Sequence, residues 1–146
     1  MTEKELAALE AAAMAATLGP TMKAVDLTDI AYPCATYALR RVGSHWPVER
    51  LINFPPEPFA ELNVGDVLVW DRLDSPEEMS AYVIDEHGRP ISRVVAYNRH
   101  FGVFEGDGVV SDVKFIGELV IPNIRVRRLS EMARQPTGRI PLEVLK

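Results

Sequence analysis

The chain changes its apolar pattern part-way along, and that change restricts the fold more than any other feature. Up to about residue 43 the apolar residues recur at helical spacing. From Gly65 onward they form short runs of strand length, separated by Gly, Asp and Pro. Helices first and then a run of strands in one short chain implies an α+β domain, with N-terminal helices packed on a mostly antiparallel sheet. At 146 residues the chain is long enough for one compact core.

Residues 3–17, EKELAALEAAAMAAT, consist of strong helix formers, with Leu6, Leu9 and Ala13 on one side and Gly19-Pro20 as a stop. We read residues 1–20 as an N-terminal helical arm, packed on the domain or touching a protein partner. A second helix is predicted over 33–42. Pro33 suits a first helical position, Ala35, Ala38, Leu39 and Val42 give an apolar face, and Gly43 is a natural C-terminal cap. Pro55, Pro56 and Pro58 mark a loop. Gly65-Asp66 leads into the strand VLVW. MSAYVID and ISRVVAYN flank the turn Glu86-His87-Gly88-Arg89, HFGVFE and VVSDVKF flank Gly106-Asp107-Gly108, and IRVRRL is a final strand. The main domain is placed at 21–130. Residues 131–146, with Pro136, Gly138 and Pro141, read as an irregular tail.

Composition narrows the function classes. A net charge of −5 disfavours nucleic acid as the main partner, since backbone binding needs clustered positive charge. The run Arg125-Val126-Arg127-Arg128 is read as the solvated side of a strand rather than a phosphate site. No stretch reaches the roughly 18 apolar residues of a membrane helix. Glu3, Glu5 and Glu10 spoil a secretory signal. The expectation is therefore synthesis in the cytoplasm, no membrane partner, and delivery elsewhere only by a phage, lysis or secretion route. One cysteine and three scattered histidines have no ligand spacing, and no glycine-rich loop follows a strand, so neither a metal nor a nucleotide cofactor is expected.

The single cysteine is the chemical candidate. Cys34 stands one residue after Pro33, at the predicted helix start, where unpaired N–H groups and the helix dipole favour a thiolate and can hold an oxyanion. The alternative is a buried cysteine packed as a small hydrophobe. A thiolate nucleophile needs an acid–base partner. His87 lies in a turn and His45 follows a helix cap, whereas His100 opens a strand. If the hairpin turns through a type I turn closed by a G1 bulge, its pairing parity puts His100 and Asp112 on one face as diagonal neighbours. Asp112 can then orient the imidazole as the third member of a triad does.

With these residues in view, YPCATYALRR, GDVLVWD and HFGVFEGDGVVSD resemble, in order, the three blocks of the NlpC-type papain-like cysteine peptidases and the related CHAP amidases. The resemblance covers about residues 30–128. It implies a papain-like fold, cysteine amide hydrolysis through Cys34, His100 and Asp112, and a peptide or peptidoglycan substrate. It also implies that Tyr32 lines the substrate cleft. The flanks depart from the family: Pro33, Ala35 and Thr36 surround Cys34 where Asp-Cys-Ser-Gly is common, and Asp112 stands where His, Asn or Gln is usual. Two other functions fit the same sequence. One is a non-catalytic binding or assembly module, and the other is a deamidase or protease acting on a protein.

Overall fold

A computed structural model describes residues 2–18, 33–58, 60–72, 77–84, 87–116 and 119–146. Tyr32 lies outside the described residues, and with it the expected wall of the cleft. Three helices, α1 (Glu3–Leu18), α2 (Pro33–Val42) and α3 (Val48–Asn53), precede six strands: β1 (Val67–Asp71), β2 (Glu78–Ile84), β3 (Pro90–Tyr97), β4 (Arg99–Gly106), β5 (Val109–Ile116) and β6 (Leu119–Arg128). A short strand, β7 (Gly138–Ile140), and a one-turn helix, α4 (Leu142–Leu145), follow. The fold is α+β. One sheet holds all seven strands in the order β3-β2-β6-β5-β4-β1-β7, with the β2–β6 pair parallel and the others antiparallel.

The N-terminus of α1 is closed by a capping box. Thr2 Oγ1 accepts the Glu5 N–H at 3.1 Å, and the Glu5 carboxylate accepts from the Thr2 N–H at 3.3 Å. The helix packs on β6 and α2, and Glu3 pairs with Arg128 at 2.9 Å. Helix α2 has the predicted limits. It ends in a Schellman motif: Gly43 at φ 73° donates to Arg40 O, and Ser44 donates to Leu39 O at 2.9 Å.

The main core lies between α2 and one face of the sheet. It unites Tyr37, Ala38, Leu39, Leu51, Val67, Val69, Phe101, Val103, Val113 and Ile140, all buried. A smaller cluster of Leu68, Trp70 and Val110 covers the other face. A buried polar chain sets where α2 sits along β4 and β5. The Tyr37 hydroxyl donates to Ser111 Oγ at 2.7 Å, Ser111 donates to Glu105 Oε1 at 2.7 Å, and Arg41 grips both Glu105 oxygens at 2.8 Å. Burial pushes the Tyr37 hydroxyl pKa up, so it remains a donor.

Residues 131–146 are not an irregular tail. Gly138–Ile140 add a strand to β1, and Ile140 and Leu145 are buried in the main core. The proline and glycine content pointed to irregular structure, but both permit this geometry. Gly138 lies where a Cβ would come 2.7 Å from Glu57 O, and Pro141 sits just ahead of α4. Asp66 ties this segment down. Its carboxylate accepts from Asn63 N at 2.9 Å, Arg139 at 2.7 Å and the Leu142 N–H at 3.2 Å. The Gly65-Asp66 pair therefore has an architectural job. Helix α3 was not foreseen from sequence, being a short segment with only Val48, Leu51 and Ile52 apolar, between two proline-containing stretches.

Candidate active site

Pairing between β4 and β5 sets up the site. Gly102 faces Asp112, Val103 faces Ser111 and Phe104 faces Val110. His100 and Asp112 are thus diagonal neighbours on one face, as expected. The turn that achieves this is not the expected one. Asp107 and Gly108 have φ of 51° and 70°, the two positive angles of a type I′ turn. A bulge between Phe104 and Gly106 then restores the even parity.

His100 Nε2 lies 2.7 Å from Asp112 Oδ2. Gly102, between them on the same face, leaves no space for a side chain: a Cβ there would meet Val110 at 2.9 Å and the Trp70 ring and Ser111 O at 3.2 Å. The Trp70 ring lies against the imidazole with centroids 5.4 Å apart. Ser111 faces α2 through Tyr37, so the strand alternation sends Asp112 and His100 to the other face, with Trp70 and Val110. The β4–β5 ladder ends at Gly102 and Asp112, one step before His100. Cys34, Tyr37 and Arg41 share one side of α2 by helical spacing. With Arg41 held at the hairpin end, the helix start is carried toward the His100 end of β4.

The imidazole senses both neighbours. Burial acts to lower its pKa, but the bond to Asp112 and the Cys34 sulfur outweigh that, and it rises to about 9. His100 is therefore an imidazolium at neutral pH. Burial likewise acts to raise the Asp112 pKa, yet His100 and Arg125 hold it down at about 2. The structure thus joins His100 and Asp112 at 2.7 Å on the face away from the main core, while Cys34 lies in that core and reaches the imidazole through its effect on the ring's charge.

Accessibility differs from expectation. Cys34 is 1% exposed, and the Asp112 side chain is fully buried, whereas the His100 side chain is 22% exposed. The group meets solvent at the imidazole, not at the sulfur. His45 and His87 are both exposed, as their positions in sequence suggest.

The reading of Arg125-Val126-Arg127-Arg128 as a merely solvated strand side is corrected. Arg125 faces Asp112 across the β5–β6 pair and bonds it through Nε at 2.9 Å. Arg127, two residues on and on the same face, bonds Asp112 Oδ2 at 2.6 Å. The signal was present as arginines at i and i+2, which share a strand face. What the sequence lacked was the β5–β6 register that brings that face to Asp112.

Among the described residues no helix is long and apolar enough to cross a membrane. Comparison with protein-family models, with curated proteins and with solved structures found no match to this chain.

Proposed function

We propose that the protein is a cysteine hydrolase of papain-like, NlpC-type architecture that cleaves amide bonds. The observation that carries this reading is the 2.7 Å contact of one imidazole with a buried carboxylate, with a helix-start cysteine near enough to act on that imidazole's charge. These three groups lie 12 to 78 residues apart in the chain. An imidazolium beside a thiol favours the thiolate form. In the proposed cycle the Cys34 sulfur attacks the amide carbonyl, while N–H groups of the first turn of α2 stabilise the oxyanion. The C–N bond then breaks, and His100 gives its proton to the departing amine. Water next adds to the thioester with His100 taking its proton, and the acid leaves as the thiol and imidazole return to their starting states. Asp112 orients the ring throughout.

The substrate class, a peptidoglycan peptide, rests on the resemblance of the three sequence blocks alone. The test is hydrolysis of purified peptidoglycan followed by release of free amines. Cys34→Ala should abolish release while leaving the circular dichroism spectrum unchanged; equal release from the variant would refute the reading.

A non-catalytic module is the second reading, favoured by the burial of Cys34 and by the two arginines on Asp112. Iodoacetamide at pH 6 separates the two. A thiol activated by an imidazolium is alkylated there within minutes, and a structural thiol is not.

A further inference from the structure

We propose that Arg125 and Arg127 form a receptor for a carboxylate carried by the substrate close to the bond that is cleaved. This rests on the hydrolase reading for the reaction, but the anion site itself can be tested separately.

Both guanidiniums reach Asp112, yet neither is consumed by it. Arg125 and Arg127 keep 24% and 30% of their side chains exposed, while Asp112 has none. The Nε of Arg127 is buried and makes no hydrogen bond among the described residues. Arg127 and His100 share a single oxygen, Asp112 Oδ2, so a group held by this guanidinium stands next to the imidazole.

Charge points the same way. Arginine stays charged at any working pH, and the imidazole is protonated at neutral pH. Three cations therefore surround one carboxylate among the described residues. That leaves net positive charge at the edge open to solvent. Guanidinium presents its donors as a planar fork that matches a carboxylate. One added carboxylate reduces that charge. A C-terminal carboxylate or an acidic side chain next to the scissile amide meets this description.

Two alkylating reagents of nearly equal size, iodoacetate and iodoacetamide, probe this directly because they differ in charge. The ratio of their rates at Cys34 should exceed the ratio for glutathione by about tenfold, the worth of one charge-assisted contact. In Arg127→Gln that ratio should fall at least several-fold, and Arg127→Lys should restore only part of it. An unchanged ratio in Arg127→Gln would overturn the proposal. If Cys34 reacts with neither reagent, the hydrolase reading fails, and the receptor is judged on wild-type protein by titrating the His100 ring signals with sodium acetate against sodium chloride at equal ionic strength. Saturable displacement by acetate alone supports the receptor; matching responses to the two salts overturn it.

Discussion

Replacing Asp112 by Asn should damage the fold and the imidazole together, by amounts that follow from its surroundings. The wild-type carboxylate is completely buried and accepts from His100 at 2.7 Å, Arg125 at 2.9 Å and Arg127 at 2.6 Å. Asparagine keeps the shape but removes the charge and one acceptor. Three cationic groups are then left with no counter-charge from that position. Removing one partner of a buried ion pair costs about 3–5 kcal/mol. For a chain of this length that corresponds to a fall in Tm of roughly 10 °C. Urea unfolding at pH 7, followed by tryptophan fluorescence of Trp46 and Trp70, measures the loss. The His100 pKa should drop in the same variant, since burial would remain while its main support is gone. A loss below about 1 kcal/mol with an unmoved imidazole would refute the reasoning, because it would show Asp112 to be solvated or its partners dispensable.

Three further outcomes are expected. The His100 pKa is raised from 6.5 to about 9, so the stabilisation it gives is complete below pH 6.5 and is lost as pH rises through 9. The loss amounts to about 3 kcal/mol, and urea unfolding at pH 6 and pH 10 should show it in the wild type and not in His100→Gln. Gly102→Ala drives a methyl to 2.9 Å from Val110 and 3.2 Å from Trp70. Overpacking of this kind costs about 1–3 kcal/mol, and denaturant midpoints with an unchanged m-value would show it. Tyr37→Phe removes the donor to Ser111 inside the core. It should cost about 1 kcal/mol while leaving alkylation of Cys34 little changed, because the α2 register is also held by Arg41 and Glu105.

What could be read from the sequence depended on how local its causes were. Helix α2 was legible to the residue, because Pro33 and Gly43 act on their own backbone and the Schellman bonds stay within one turn. Strands β1 to β6 were legible as apolar runs between turn residues, whereas the shared face of His100 and Asp112 was argued through a loop that the chain does not use and is restored by the bulge between Phe104 and Gly106. The turn type was missed because Asp107 tolerates a left-handed backbone, which sequence does not separate from a type I turn with a bulge. β7 was missed because three residues among prolines carry no period, and only their pairing with β1 makes them a strand. The arginines on Asp112 and the burial of Cys34 depend on strand order and on packing between distant segments, which no local pattern encodes.

One imidazole joining the lone sulfur to the buried carboxylate is the claim on which the functional account stands. An NMR titration of the His100 ring in the wild type and in Cys34→Ala addresses it most directly. The wild-type midpoint should lie near pH 9, and loss of the sulfur should bring it down. A wild-type midpoint near the ordinary 6.5, unmoved in Cys34→Ala, would mean that thiol and imidazole are mere neighbours and not a working pair.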